Sequence, residues 1–305
     1  MYYFIVNPSS SSGKGLKIYQ AIEPVLKKEQ IPYQVFLTKS SAHTAYLARE
    51  ISEKHAPCII VAVGGDGTVN DVLNGLCNLS SIVFGYIPTG SGNDLCRGLH
   101  LPTKPQDALR AILSPKVVRP VSVGVLTCGS KKRRFLVSSG IGFDAEVCRQ
   151  AQRSPLKDFL NRLRLGKLTY AGTALGVLFH LKSSPLTLAV DGNPPKRLDG
   201  FLFAAAMNLK YEGGGFMFCP DASAKDDVLD LILVERMAPL KILLLLPTAL
   251  VGKHTSFSGI HICRFKTASL QLDKPLITHT DGEPQGEQPS IVWSLEQERL
   301  PFILK

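Results

Sequence analysis

The sequence contains no uninterrupted run of about 18 apolar residues, the length that an apolar helix needs to cross a bilayer. It also lacks a basic leader before its first apolar segment, so we expect no signal peptide. Its seven cysteines are dispersed, without a CxxC pair or the spacing of a metal site. Such a set is typical of reduced, mostly buried thiols, and we expect a cytoplasmic protein.

Acidic residues are the minority among the charges, with 25 Asp and Glu against 35 Lys and Arg. The net charge of +10 suits an anionic partner: nucleic acid, a membrane surface or a nucleotide. Aromatic residues do not alternate with the basic ones as they do on a nucleic-acid stacking surface, so we expect no nucleic acid. The basic, leucine-containing stretch 149–168 is typical of a helix lying on an anionic membrane, and equally of a helix packed on its own domain.

The most informative segment is a glycine-rich turn between a predicted strand and a predicted helix. The run Cys58–Val63 is short, apolar and β-branched, which predicts a strand buried on both faces of a parallel sheet. The following Gly64-Gly65-Asp66-Gly67 lacks the Cβ atoms that would keep a bulky anion away from the backbone. A helix with apolar spacing follows, and its N-terminal N–H groups point at the turn. The arrangement predicts a phosphate site that contains Asp66; a plain tight connection is the alternative.

A second turn of the same kind follows Ile82–Ile87, the next predicted strand. Its sequence is Pro88-Thr89-Gly90-Ser91-Gly92-Asn93-Asp94, with glycines, hydroxyls and an acid before an apolar helix start. Loops after the carboxyl ends of adjacent parallel strands line one crevice. We therefore expect the two turns to form one nucleotide site to which Asp66 and Asp94 both contribute.

The pattern along the chain predicts two kinds of architecture. From the N-terminus to about Leu113, strands alternate with helices, which predicts an α/β domain with a doubly wound, mostly parallel sheet. From Val121–Leu126 onward, short β-type runs with turns between them predict a mainly β domain, either a sandwich or a distorted barrel. Two helical insertions, near 144–180 and 239–253, interrupt this second part.

The motifs GGDGTVND and PTGSGND, together with Asn7-Pro8 and Asp281-Gly282-Glu283, resemble the diacylglycerol kinase catalytic-domain family. The likeness is to its bacterial-type soluble lipid kinases, which are related to sphingosine kinases. It implies a nucleotide-binding α/β kinase domain at 1–118, to which 295–305 returns. It also implies a β-rich lipid-substrate domain at 119–294.

The resemblance further implies which residues form the site. Asn7 and Thr38 match nucleotide-side positions of the family, although Thr38 alone is equally well explained as a helix or turn cap. Glu283 is implied to be the general base for the acceptor hydroxyl, while Asp66 and Asp94 order the catalytic Mg²⁺ and its waters. The implied ATP-binding set is Asn7, Thr38, Gly64, Gly65, Asp66, Gly67, Thr68, Val69, Asn70, Asp71 and Ser91.

The segment Pro220–Asp230 holds four carboxylates, for which a solvated acidic loop is the default interpretation. It resembles the structural magnesium loop of the family, which implies the Asp226 carboxylate and the Ser223 and Val228 carbonyls as ligands. The family usually has glycine after that aspartate, where this chain has Asp227. Whether Asp226 or Asp227 is the ligand therefore stays open.

Residues and resemblance together predict an ATP- and Mg²⁺-dependent phosphotransferase at the membrane surface. It would transfer the γ-phosphoryl group of ATP to the hydroxyl of a diacylglycerol-like lipid, giving phosphatidic acid and ADP. A sphingoid base, another lipid alcohol, an isoprenoid alcohol and an NAD kinase reaction remain alternatives, as does a non-catalytic lipid-binding regulator. All three motif acids are present, which argues against the regulator. The oligomeric state, including a homodimer, is open.

Overall fold

The computed structural model describes residues 1–90, 93–153, 176–178 and 183–305. Its internal contacts divide the chain into two compact units. One unit comprises Met1–Ser122 and Gln297–Lys305, and the other comprises Val123–Glu296. Ser91 lies outside the described residues, as does 154–168, most of the predicted basic helix.

The first unit is an α/β domain built on one six-stranded sheet in the order β2-β1-β3-β4-β17-β5. All neighbouring strands are parallel except β17 and β5, which pair antiparallel. Its elements are β1 (Tyr2–Val6), α1 (Ser10–Lys28), β2 (Tyr33–Leu37), α2 (Ser41–His55), β3 (Cys58–Gly64), α3 (Asp66–Gly75), a 3₁₀ turn (Leu79–Ser81), β4 (Ile82–Pro88), α4 (Asp94–Leu99), α5 (Pro105–Leu113), β5 (Val118–Val121) and β17 (Leu300–Ile303).

Helices cover the central strands of this sheet and thereby bury them. Phe4 of β1 and Val61 of β3 are fully buried against Ile22 and Leu26, which recur one turn apart on the same face of α1. Pro105 begins α5, where its missing N–H removes no helical hydrogen bond. Because β1, β3 and β4 are parallel, the loops that follow them all leave the sheet at the same edge.

The second unit is mainly β. Its elements are β6 (Gly124–Cys128), β7 (Lys131–Phe135), β8 (Ser138–Gly142), α6 (Phe143–Arg153), β9 (Ser184–Val190), β10 (Lys196–Met207), β11 (Tyr211–Glu212), β12 (Phe216–Met217), β13 (Leu229–Glu235), α7 (Pro239–Ala249), a 3₁₀ turn (Lys253–Ser256), β14 (Ile260–Phe265), β15 (Ala268–Thr280) and β16 (Glu283–Leu295). Among the described residues of the chain, no helix is long and apolar enough to cross a membrane.

The strands of the second unit form an antiparallel sheet in the order β14-β13-β10-β8-β15-β16-β6-β7, with β9 pairing to both β10 and β15. Because β8 also pairs with β10 and β15, these four strands close on themselves and make the sheet partly barrel-like. Trp293, Phe135 and Phe201 are fully buried in its core. The predicted fold class, an α/β domain followed by a mainly β domain, is confirmed.

Some predicted strands have different limits in the structure. The prediction of one strand over Val121–Leu126 is wrong, because β5 and β6 are separate strands that belong to different sheets. The sequence of Ser269–Leu272 and Ile277–Thr280 predicts two short strands, but the structure has one long strand there, β15, with a register irregularity between Gln271 and Leu276. The sequence analysis missed β16 because its first seven residues are polar or are glycine and proline. Pairing with β15 fixes them as strand nonetheless.

Candidate functional site

Three glycine- or serine-containing loops of the first unit meet at one edge of its sheet. In the strand register, Val6 of β1 pairs with Val63 of β3, and Gly64 pairs with Pro88 of β4. The N–H of Asn7 donates to the Val63 carbonyl at 3.0 Å, and the N–H of Thr89 donates to the Gly64 carbonyl at 2.8 Å. The loops that follow β1, β3 and β4 therefore leave the sheet side by side.

Side chains then join these loops directly. The Asn7 Nδ2 group donates to Thr68 Oγ1 at 3.0 Å, and the same amide accepts at Oδ1 from the N–H of Ser9 at 3.1 Å. The Thr89 hydroxyl donates to Ser10 Oγ at 2.9 Å. The structure thus brings together Asn7 and Thr68, two of the residues that the sequence analysis assigned to the nucleotide.

The glycines of the two turns serve different purposes. A Cβ at Gly64 would collide with the Thr68 side chain, so this position must be glycine for the turn to pack. Among the described residues, none has an atom within 4 Å of a Cβ at Gly65, so with respect to them the backbone there faces open space. A Cβ at Gly90 would lie 3.6 Å from the Gly65 Cα and 3.8 Å from Ser11 Oγ. The second turn therefore approaches the first closely.

The N-terminus of α3 opens at this same place. Gly65 precedes the helix with an extended backbone, and Asp66 begins its first turn. In any helix the first-turn N–H groups have no carbonyl acceptor within the helix, and the helix dipole favours an anion there. Open space, a helix N-terminus and hydroxyl-bearing loops together form a cradle that fits a phosphate group.

The two acids of the turns have distinct electrostatic surroundings. Burial, reinforced by the nearby Asp66 carboxylate, raises the pKa of Tyr86 well above its ordinary value, and the Tyr86 hydroxyl donates to the Gly64 carbonyl at 3.2 Å. The same two causes raise the pKa of Cys96 to about 12. Asp94 is mostly buried in the first turn of α4 and forms an ion pair with Arg97. Sequence reasoning missed both Tyr86 and Arg97.

The remaining predicted nucleotide residues lie near this edge with differing roles. Thr38 is buried directly after β2, and its N–H donates to the Val6 carbonyl at 2.9 Å. Asp71 accepts a hydrogen bond from the Ser41 hydroxyl at 2.7 Å, which links α3 to the start of α2. Val69 and Asn70 are buried in the domain as whole residues, so neither presents surface to a ligand.

In the second unit, the Asp281-Gly282 pair forms a tight hairpin turn. Both residues have positive φ, 49° and 80°, and Thr280 pairs across the turn with Glu283. An Asp-Gly pair is well suited to such a turn because both positions need left-handed backbone. The Asp281 carboxylate accepts from the N–H groups of Leu136, Val137 and Ser138 at 2.8 to 3.1 Å. The turn that presents Glu283 is therefore fastened to the first residue of β8 and to the two residues before it.

A buried group of three titratable side chains lies beside this turn. His279 Nε2 is 3.1 Å from Asp144 Oδ2 and 3.1 Å from Glu212 Oε1, and His279 is fully buried. Burial raises the pKa of Asp144, against the opposing effect of His279. The sequence analysis left the histidines without a role, because these three residues are distant in sequence and nothing local connects them.

The predicted magnesium loop contains a carboxylate that the sequence analysis did not choose. Asp226 forms an ion pair with Arg264, and its N–H donates to the Ser223 carbonyl at 3.4 Å. Asp230 is buried, and in the described part of the chain its Oδ2 has no hydrogen-bond partner. Burial, with added repulsion from Asp226 and Asp221, raises the pKa of Asp230 to about 6 in spite of Arg264. This buried, unsatisfied oxygen fits a cation in the loop.

Comparison with known proteins gives two family matches. The diacylglycerol kinase catalytic domain matches residues 1–127, and the YegS C-terminal NAD kinase beta sandwich-like domain matches residues 136–305. A putative lipid kinase of Bacillus subtilis (strain 168), YtlR, is 32% identical over 94% of this chain and 94% of its own. A diacylglycerol kinase of Mycobacterium tuberculosis is 27% identical over 92% of this chain and 87% of its own.

Solved structures show the same fold. A putative diacylglycerol kinase from Bacillus anthracis superposes with a TM-score of 0.77 at 24% identity, covering 99% of this chain and 94% of that one. An NAD kinase from Archaeoglobus fulgidus, solved in complex with ATP, superposes with a TM-score of 0.53 at 17% identity, covering 99% of this chain and 93% of that one.

Proposed function

The chain belongs to the diacylglycerol kinase catalytic-domain family of kinases, and from this premise we propose that it transfers the γ-phosphoryl group of ATP to the free hydroxyl of a diacylglycerol-like lipid. The products are phosphatidic acid and ADP. The observation that carries the proposal is the convergence of the loops after β1, β3 and β4, with Asn7 bonded to Thr68 and Gly90 beside Gly65.

ATP is proposed to lie with its phosphates over the Gly65 backbone. The first-turn N–H groups of α3 donate to phosphate oxygens, and the open space at Gly65 admits them without a clash. The bond from Asn7 fixes the Thr68 hydroxyl, and the Thr89–Ser10 bond fixes the neighbouring loops. Thr38 and Asp71 border this edge and complete the pocket on the side of β2, and Ser91 is assigned to the phosphates on its sequence position alone.

Phosphoryl transfer requires alignment, neutralisation of charge and removal of one proton. We assign Glu283 as the general base that accepts the proton of the lipid hydroxyl as its oxygen attacks the γ-phosphorus. Asp66 and Asp94 are assigned to hold the catalytic Mg²⁺ with its waters, and Arg97 orients the Asp94 carboxylate through their ion pair. When bound, Mg²⁺ supplies positive charge against the negative charge that spreads over the transferring group.

The acidic loop of the second unit is assigned a structural Mg²⁺. Its ligands in this proposal are the Asp226 carboxylate and the Ser223 and Val228 carbonyls, as the family resemblance implies, with buried Asp230 as a further acid beside them. A magnesium ion with few protein ligands and several waters suits such a loop. Because Arg264 already pairs with Asp226, the ion has to share that carboxylate with a guanidinium group.

A lipid acceptor is favoured over NAD by the relatives. Relatives that are 32% and 27% identical carry names that denote a lipid kinase and a diacylglycerol kinase, whereas the NAD kinase shares the fold at 17% identity. Among lipids, a sphingoid base is the second candidate because it also offers one primary hydroxyl. The excess of basic charge supports peripheral binding at an anionic membrane surface from the cytoplasmic side.

The proposal is tested with purified protein, γ-labelled ATP and Mg²⁺. Mixed vesicles carry diacylglycerol, monoacylglycerol, ceramide, sphingosine or an isoprenoid alcohol, and soluble NAD and fructose 6-phosphate are assayed in parallel. We expect label in phosphatidic acid and at least tenfold less in every other product. The Asp66→Asn variant, prepared identically, controls for a contaminating kinase. Transfer chiefly to sphingosine or NAD would refute the diacylglycerol assignment, and no transfer to any acceptor would refute the kinase function.

A further inference from the structure

The turn that carries Glu283 is also held by a hydrogen bond from a residue outside the sequence motifs, His279. The N–H of Gly282, the residue before Glu283, donates to Nδ1 of His279 at 3.2 Å. The opposite ring nitrogen, Nε2, lies 3.1 Å from carboxylate oxygens of both Asp144 and Glu212. A fully buried imidazole therefore joins the backbone of the turn to two buried acids that come from α6 and β11.

The hydrogen bonds specify where the ring proton is. Against the opposing effect of burial, the neighbouring acidic groups raise the pKa of His279, but an imidazolium would turn an Nδ1 proton towards the Gly282 N–H. Because Nδ1 accepts from Gly282, it carries no proton, and the single proton of the neutral imidazole is then on Nε2. That proton points at Asp144 and Glu212, which fix this tautomer just as an acid fixes a histidine in other sites. Without the two acids, the ring could adopt the other tautomer, with its proton on Nδ1. That proton would face the Gly282 N–H and repel it.

The same three side chains also have the composition of a metal site. A metal ion would take the Nε2 lone pair while Gly282 still donates to Nδ1, and the ring would then have no proton at all. A histidine that binds a metal through one ring nitrogen normally keeps a proton on the other and donates it to an acceptor, whereas Nδ1 of His279 faces the Gly282 N–H, a donor. The Gly282 contact therefore favours a hydrogen-bonded group over a bound ion.

The arrangement is costly, which indicates that it serves a purpose beyond stability. Two carboxylates and an imidazole are buried together, and among the described residues neither acid has a Lys or Arg partner. The Glu212 Oε2 atom is buried, and no described residue forms a hydrogen bond with it. Space for the group exists only because residue 140 is glycine, since a Cβ there would collide with Asp144 and His279.

We infer that His279 is a positioning residue, which Asp144 and Glu212 hold in the Nε2-protonated form so that its Nδ1 fixes the Gly282 turn and thereby aims Glu283. This inference rests on the proposed role of Glu283 as general base. The two residues that precede Glu283 are then both restrained. The Asp281 carboxylate holds the turn to Ser138 of β8, and His279 holds the N–H of Gly282. A base held in this way loses less entropy on reaching the reactive geometry.

Two substitutions of His279 separate positioning from folding. In His279→Asn the side-chain oxygen takes the place of Nδ1 and still accepts from Gly282. In His279→Gln the amide reaches the place of Nε2 and donates to the acids, but the acceptor for Gly282 is gone. We expect His279→Gln to lower kcat at least tenfold with the KM for ATP changed less than twofold, and His279→Asn to stay within threefold of wild type. Thermal unfolding should be similar for both variants.

Hydrogen exchange gives a readout that does not depend on catalysis. We expect the Gly282 amide to exchange at least tenfold faster in His279→Gln and to stay protected in His279→Asn. If wild type transfers phosphoryl to no acceptor, the proposed function fails, and the exchange pattern alone decides whether His279 restrains the turn. Equal kcat in wild type and His279→Gln, or equal losses in both variants, would overturn the inference. One equivalent of a transition metal in the purified protein, lost in Glu212→Gln, would also overturn it.

Discussion

Asn7 and Thr68 are 61 positions apart in the chain and are joined by a 3.0 Å hydrogen bond from the Asn7 amide to the Thr68 hydroxyl. The bond connects the loop after β1 with α3, the helix that begins in the glycine-rich turn. Thr68 is 5% exposed, so water competes little for its hydroxyl. This contact fixes the walls of the proposed phosphate cradle relative to each other.

Removing this bond should weaken ATP binding. We expect Asn7→Ala to lower ATP affinity about fivefold, which corresponds to about 1 kcal/mol for one net hydrogen bond. Isothermal titration with a non-hydrolysable ATP analogue measures it. In a double-mutant cycle, Asn7→Ala and Thr68→Val should be non-additive by about 1 kcal/mol. Strict additivity would show that the contact does not contribute to the site.

The two leading glycines of the turn should respond oppositely to alanine. Gly65→Ala places a Cβ where no described residue lies within 4 Å, at an ordinary φ of −94°, so the thermal stability should be unchanged while ATP binding falls at least tenfold. Gly64→Ala forces a Cβ into Thr68 and should cost about 1–3 kcal/mol of stability, as overpacking does. Thermal unfolding and ATP titration of both variants check this. Normal ATP affinity in Gly65→Ala would show that the phosphates do not lie over the Gly65 backbone.

Glu283→Gln should abolish turnover while ATP still binds, because an amide cannot take the proton of the lipid hydroxyl. The matched control is Glu287→Gln, an exposed glutamate on the same strand, β16, which should keep normal kcat. Single-turnover assays and ATP titration on both variants provide the measurement. Substantial turnover in Glu283→Gln would assign the base to another residue.

Asp230 should make the stability of the protein depend on pH. Its pKa is raised from 3.8 to about 6 in the folded protein, so between these values the folded chain keeps a proton that the unfolded chain has released. The stabilisation from this proton is complete below about pH 4 and is lost as the pH rises through about 6.

Asp230→Asn cannot ionise and should therefore lose less stability than wild type between about pH 4 and pH 7. Thermal unfolding across this range, in chelator, measures the difference, with the exposed Asp199→Asn as control. Millimolar Mg²⁺ at pH 7.5 should raise the unfolding temperature of wild type more than that of Asp230→Asn, which keeps the three proposed ligands but lacks the charge of the neighbouring acid. Parallel pH curves for wild type and Asp230→Asn would contradict the raised pKa.

Membrane docking should depend on the hairpin of β6 and β7. Lys131 and Lys132 are exposed on β7, whereas Arg134 is engaged with Glu296 at 2.6 Å. Each basic residue near an anionic surface contributes about 1 kcal/mol, so reversing both charges should weaken vesicle binding at least tenfold. Sedimentation with vesicles rich in phosphatidylglycerol measures this. Neutral vesicles and high salt should abolish the difference, and equal binding of the variant and wild type would exclude this hairpin.

Much of the fold could be predicted from local sequence. The apolar, β-branched run Cys58–Val63 is strand β3 within one residue, and the segment Pro105–Leu113, whose sequence predicts a helix, is α5 with those limits. These elements follow from the pattern of apolar residues within the segment itself, over about six to ten residues. By contrast, β16 could not be predicted, because its polar first half is strand only through its pairing with β15.

By itself the sequence determined the α/β domain followed by a mainly β domain, the two glycine turns, and the family, since each depends on neighbouring residues and local backbone preference. Only the tertiary structure decided that Asn7 meets Thr68, that Asp230 is buried beside Asp226, and that His279 lies between Asp144 and Glu212 under the Glu283 turn. The contacts of Asn7 and His279 join segments tens to more than a hundred residues apart, and the burial of Asp230 depends on the strands packed around it. Their energies come from burial and strand register, which no local pattern encodes.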